Sequence, residues 1–282
     1  MTKQVVNILT FDIEDYYMVS AFECNVKMQD WSNYESRVVL NTRKLLFLLS
    51  QFNIKATFFI LGWVAEKFPE LVRDIHIQGH EIAAHGYSHR LVYNQSPDEF
   101  RADVKKTKRI LEDIIQRPVI GYRAPSFSIT QKSIWAVKIL VEEGYKYDSS
   151  IFPIYHNRGG MPHAERFFHR ISVNDSGIFE VPVSTVKLWG QNIPVCGGGY
   201  FRLFPYWFTQ RAIYKINSEK HPAVIYIHPW ELDHEQPKIK SNYLNEFRHY
   251  VNLKKTEAKL KKLLKDFVFS SISAKYEVLN KT

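Results

Sequence analysis

Cysteine is nearly absent. Cys24 and Cys196 are the only two in 282 residues, far apart and without CxxC spacing. That excludes a disulfide framework and a cysteine-ligated metal site, and predicts two free thiols in a reducing compartment. Long apolar runs are equally scarce. The longest, Ala56–Ala65, is ten residues held between Lys55 and Glu66, far short of a membrane span. The start MTKQVVNILTFDIED meets acids at Asp12 before a secretory apolar core could form, so a cytoplasmic location is expected. No GxGxxG or GxxxxGKS/T loop supports nucleotide binding. No repeat and no Gly/Ser/Pro-rich linker divides the chain, which reads as one domain.

Charge of one sign is in modest excess. Lys and Arg number 38 against 29 Asp and Glu, a formal net of +9. Residues 238–282 hold +7 of it, leaving only +2 on residues 1–237. The excess belongs to the tail and no nucleic-acid motif accompanies it, so nucleic-acid binding is disfavoured. Within the tail, Leu253, Leu260, Leu263, Leu264 and Phe267 recur at helical spacing among lysines. A helix packed on the body with a solvated basic face is one reading. Weak attraction of residues 252–267 to an anionic membrane is the sharper one. Aromatics reach 15%, enough for core filling and for surfaces that stack on sugar rings.

Short β-like runs alternate with amphipathic helical stretches. Strands are predicted over 5–11, 55–61, 81–84, 119–123, 145–149, 179–183 and 223–228. Helices are predicted over 40–51, 68–78, 97–116, 131–143 and 206–219. Ser96, Pro97 and Glu99 mark a capped helix start, and Gly144 a helix end. The alternation predicts an α/β fold with a mostly parallel sheet, as a barrel or a doubly wound layer.

Polar residues gather where these strands end. Asp12, Glu14 and Asp15 follow the first, His85 and His89 the third, and Arg123 closes the fourth. Asp148 and His228 end the fifth and seventh. In parallel βα folds that edge is where active sites assemble. On a helical turn the spacing of His85 and His89 would turn both rings to one side, suiting a divalent ion or simply a hydrogen-bonding pair. Two neutral ligands call for an anionic third, which TFDIED supplies, and two His plus one carboxylate is a recurrent hydrolytic site. Asp12 emerges from a buried strand, where its charge needs a cation nearby. Arg123 is the natural guanidinium, and His228 can donate a proton or be structural. Gly197–Tyr200 reads as a tight turn where backbone approaches another group closely.

TFDIED, HGYSH, RAP, YDSS and YIHPWE stand in the order of the catalytic motifs of NodB-type polysaccharide deacetylases (carbohydrate esterase family four), which this sequence resembles. The run GGGYFRLFP (197–205) and the HPWE ending look like the exosortase- and exopolysaccharide-associated branch, with its C-terminal extension. The resemblance implies a distorted (β/α) barrel of about seven parallel strands. It implies a catalytic unit over 1–237 and a basic extension over 238–282 packed on it. Asp12 matches the family's general base, His85 and His89 its metal ligands, Arg123 the arginine orienting the base, and His228 the general acid. Asp148 falls in the region that tunes that histidine. The common form has two adjacent aspartates, whereas Ile13 follows Asp12 here. Glu14 is the expected metal carboxylate, with Asp15 the runner-up, and zinc the expected ion.

The implied reaction is metal-assisted removal of N-acetyl groups from amino sugars of a bacterial cell-surface polysaccharide or its precursor. Tyr87, Phe127, Tyr200 and Trp230 are candidates to stack on sugar rings or to pack in the core. Two alternatives stand beside it: a barrel glycoside hydrolase using Asp12 and Glu231, and a non-catalytic saccharide-binding relative.

Overall fold

All seven residues of β1 (Asn7–Ile13) are buried, the mark of a central strand covered on both faces. This computed structural model describes residues 5–156 and 158–276. Around β1 the chain lays down β2 (Thr57–Ile60), β3 (Glu81–Ala84), β4 (Gly121–Tyr122), β5 (Tyr147–Asp148), the hairpin β6 (His169–Val173) and β7 (Ser176–Glu180), the hairpin β8 (Thr185–Leu188) and β9 (Gln191–Pro194), β10 (Val224–Ile227) and β11 (Phe269–Ser270). The main sheet runs β10-β1-β2-β3-β4-β5-β7-β6. The seven strands from β10 to β7 are parallel, and β6 is antiparallel at the edge. The α/β architecture and the seven parallel strands of that run are as expected, and β11 adds a further parallel strand beside β1. The barrel is open, since β6 and β10 do not pair.

Helices α1 (Val38–Gln51), α2 (Gly62–Lys67), α3 (Pro69–Ile77), α4 (Pro97–Ile115) and α5 (Trp135–Glu142) connect the first five strands. Ser96 and Glu99 form the expected capping box of α4, worth about 1 kcal/mol. Strand β6, the hairpin β8–β9 and α2 are absent from the sequence expectation, whereas β7 overlaps the strand expected over 179–183. Strands β6 and β7 meet through Asn174 in a left-handed conformation, a tight turn with no Gly or Pro to announce it.

The second half adds α6 (Gly198–Leu203) and α7 (Tyr206–Ser218) before β10. The predicted turn at Gly197 opens α6, and the predicted close approach is present: a Cβ there would lie 2.1 Å from the Tyr226 ring. The extension folds as α8 (Tyr243–Tyr250), α9 (Leu253–Asp266), β11 and α10 (Ile272–Lys275), and its residues 277–282 lie outside the described residues. In α9 the leucines Leu253, Leu260, Leu263 and Leu264 are buried against the body while Lys254, Lys262 and Lys265 are exposed. Among the described residues no helix is long and apolar enough to cross a membrane.

Candidate active site

Alternate residues of a strand share a face. Thr10 and Asp12 therefore point together, and Arg123 Nη1 donates to both, at 2.8 Å to Thr10 Oγ1 and 2.7 Å to Asp12 Oδ1. Arg123 is fully buried, with Nε and Nη2 donating to the backbone and hydroxyl oxygens of Ser149. A buried guanidinium is tolerable when paired and hydrogen-bonded in this way. Ile13 enters the core, and both acids beside it face His228: Nε2 is 3.9 Å from Asp12 Oδ2 and 3.5 Å from Glu14 Oε1.

Glu14, His85 and His89 offer ligand atoms all within 4.8 Å of one another. His85 Nδ1 lies 2.8 Å from the Arg123 carbonyl, which assigns that nitrogen as the donor and leaves Nε2 for an ion. Burial pushes His85 down to about 4 against the pull of Asp12 and Glu14, keeping it neutral. Burial would raise Glu14, but His89 and His228 outweigh it and hold the carboxyl at about 2. Glu14 Oε1 accepts from Trp230 Nε1 at 3.3 Å. Its Oε2 is buried and makes no hydrogen bond of ordinary geometry, although His89 Nε2 is 2.8 Å away. Two ligand atoms converging without a bond, one anionic, suit a cation between them. The set of two imidazoles and one carboxylate fits a divalent ion.

Several expectations need correction. The HGYSH segment is a bent loop, with Gly86 at φ 73° and His89 at φ 55°, instead of a helical turn. Asp15 is not in the ligand group. Its Oδ2 accepts from Ser36 Oγ at 2.7 Å and from the backbone N–H of Arg37 and Val38, so it satisfies the start of α1. Asp148 does not touch His228; it hydrogen-bonds Ser150 and sits against the buried Glu180. Tyr87 lies outside the cavity with Lys106 Nζ 3.4 Å above its ring and its hydroxyl on Glu66. Phe127, Tyr200 and Trp230 do line the cavity, and Trp230, only 4% exposed, also stacks between His228 and His249, at 5.1 and 4.2 Å.

The partner of His228 is Glu231, a role the sequence reading missed. Glu231 Oε1 accepts from the His228 backbone N–H at 3.0 Å and lies 2.8 Å from its Nδ1. Glu231 Oε2 accepts from Arg202 Nε at 2.6 Å. Burial disfavours the charge on His228, yet the carboxylates of Glu14, Glu231 and Asp12 push it up to about 9. The HPWE spacing, three residues apart at a strand end, was the available signal. Glu231 is fully buried with both oxygens engaged, so it cannot serve as the second carboxylate of a glycosidase.

These groups form the floor of a cavity of about 410 Å³. Residues 3–147 match the family model Polysaccharide deacetylase, just over half the chain. The chain belongs to that family. Residues 149–277 match a second model, Domain of unknown function (DUF3473). Among curated relatives, the chain is 40% identical over 98 residues to a peptidoglycan-N-acetylglucosamine deacetylase of Bacillus cereus, covering 34% of this chain and 36% of that protein. It is 30% identical over 108 residues to a peptidoglycan deacetylase of Helicobacter pylori, covering 38% and 36%. The matches thus span about a third of those relatives' length. A Mycobacterium smegmatis crystal structure assigned as a polysaccharide deacetylase shares the fold, with TM-score 0.64 at 18% identity over 99% of this chain and 94% of that one.

Proposed function

We propose that this polysaccharide deacetylase is a metal-dependent hydrolase that removes N-acetyl groups from amino sugars of a bacterial cell-surface polysaccharide or its precursor. The observation that carries the reading is the convergence of Glu14, His85 and His89 beside the Asp12–Arg123 pair and His228 on one cavity floor. Glu14, His85 and His89 would hold one divalent ion, and zinc suits two imidazoles and a carboxylate. Such an ion supplies Lewis acidity toward an acyl oxygen and water.

The remaining steps belong to the chain. Arg123 holds Asp12 Oδ1, which leaves Oδ2 to take the proton of the attacking water. His228 Nε2, across from that oxygen, delivers a proton to the departing amine nitrogen while Glu231 fixes the ring through Nδ1. The buried surroundings of Asp12, Glu14 and His85 lower the local dielectric and strengthen each of these interactions.

Finer placements rest on the sequence. GGGYFRLFP and HPWE support the exosortase- and exopolysaccharide-associated branch, and the near absence of cysteine supports a cytoplasmic site. The lysine face of α9 supports weak, peripheral attraction to anionic lipid. The test of the central reading is metal analysis of the purified protein followed by acetate release from acetylated oligosaccharides. Acetate production that chelator abolishes is expected. New reducing ends without acetate would install a glycosidase instead, and saccharide binding with neither product would install a non-catalytic relative.

A further inference from the structure

The cavity is larger than an acetamide requires and falls in the range of about 300–1,000 Å³ that encloses whole ligands. Its charges are unevenly placed. Among the described residues the only carboxylates lining it are Asp12 and Glu14, both on the floor. Three guanidiniums line it, and one of them, Arg202, is consumed by Glu231. The other two, Arg158 and Arg248, form no ion pair among the described residues. His156 lines the same cavity and lies within electrostatic reach of both. Two lining guanidiniums are therefore left without an ion-pair partner among the described residues.

Close contacts hold the backbone beside each arginine. Arg202 donates to the carbonyls of Arg248, His249 and Val251, tying the junction of α8 and α9 to α6. Gly159 sits where a Cβ would lie 2.2 Å from the carbonyl of Phe127, a lining residue, so the backbone next to Arg158 packs directly on the cavity wall. Arg158 precedes α6 by forty residues and Arg248 follows it by forty-five, yet both reach one cavity. Apolar contact surface, Phe247 and Leu203, lies beside them and remains exposed.

We propose that Arg158, Arg248 and His156 form an anion subsite, and that the saccharide taken carries a carboxylate or phosphodiester next to the acetamido ring on the floor. The proposal rests on the deacetylase reading for its substrate, and on the geometry alone for its anion. Guanidinium pairs with both oxyanions through short, charge-assisted hydrogen bonds. Such a subsite selects anionic polymers over neutral ones of the same length.

The test compares three acetylated oligosaccharides of equal length: neutral, uronate-containing and phosphodiester-containing. Acetate release gives KM for each with the wild type and with an Arg158→Gln/Arg248→Gln variant. A KM about tenfold lower for one anionic substrate than for the neutral one is expected, and the arm that shows it names the anion. The advantage should vanish in the double variant and near 1 M salt, where screening reaches about 3 Å. Equal KM values in the wild type, or an advantage that survives both changes, would overturn the subsite. If no substrate yields acetate, the deacetylase reading fails by itself. Titration calorimetry with the same oligosaccharides then decides the subsite: tighter anionic binding removed by the double substitution supports it, and equal or absent binding overturns it.

Discussion

Glu231 holds His228 twice, accepting from its backbone N–H and facing its ring Nδ1, while Arg202 holds the other Glu231 oxygen. His228 thus has its orientation set by a carboxylate that is itself buried and clamped. Replacing Glu231 by Gln leaves the Arg202 guanidinium without its counter-charge and lets the imidazole turn. We expect kcat to fall about 10- to 100-fold and stability to drop by about 3–5 kcal/mol, the usual result of breaking a buried pair. Steady-state kinetics well below the melting temperature separate the two effects. A lower Tm with full kcat would leave Glu231 a structural residue only.

Asp12 makes the cleaner test of proton transfer. Asparagine keeps the shape and can still accept from Arg123 Nη1, but it cannot take a proton from water. Activity should fall by about two decades or more, with metal content unchanged because Asp12 is not among the three converging ligands. Metal analysis and acetate release on the same preparation check this. Retained activity would remove Asp12 from the base role.

The sequence disclosed the groups at strand ends more readily than it disclosed their partners. Asp12, Glu14, His85, Arg123 and His228 were visible because strand ends in parallel folds collect polar residues. Asp15 misled because an acid that satisfies a helix start twenty residues ahead looks, in sequence, like any neighbour of a metal ligand. Asp148 misled for a similar reason. Being at the right strand end does not say which strands of a curved sheet face one another. Glu180 gave no signal, since a single acid in an apolar strand reads as an outward residue. β7 was expected in part, over 179–183, but β6 and the hairpin β8–β9 were missed despite turn residues at Asn174-Asp175 and Gly190, because these short, partly exposed strands show no apolar run.

The buried pair Asp148 and Glu180 carries a pH dependence. Burial pushes Asp148 up to about 6 and Glu180 upward too, their mutual repulsion adds to the latter, and Arg123 opposes both. The folded state therefore holds protons here more tightly than the unfolded chain. Stability from this pair is full below the ordinary carboxyl range, near pH 4, and is lost as pH rises through about 6. Glu180→Gln should flatten that fall, raising Tm most at the alkaline end. Parallel Tm–pH curves for the two proteins would show that the pair ionises without penalty.

Attraction of α9 to lipid must be electrostatic, because its leucines are already buried in the protein. Each lysine near an anionic surface contributes about 1 kcal/mol. Sedimentation with acidic vesicles should therefore be weak, abolished by salt, and reduced by glutamine at Lys254, Lys262 and Lys265. Binding indifferent to acidic lipid and to salt would end the idea.

Trp230 links Glu14 of the candidate metal group to His228, the proposed proton donor. Its indole Nε1 donates to Glu14 Oε1, and its ring is stacked between His228 and His249. Phenylalanine preserves much of the stack and deletes the donor, so Trp230→Phe isolates the hydrogen bond. An oxygen freed from the indole can swing away from the point where His85 and His89 converge. Outer hydrogen bonds of this kind are worth about 10- to 100-fold in metal affinity. Competition titration with a coloured chelator should show zinc held more weakly by that factor in the variant, with its fold intact by circular dichroism. Equal affinity in the two proteins would mean that Glu14 is positioned by β1 and His89 alone, and that the indole serves only the aromatic stack.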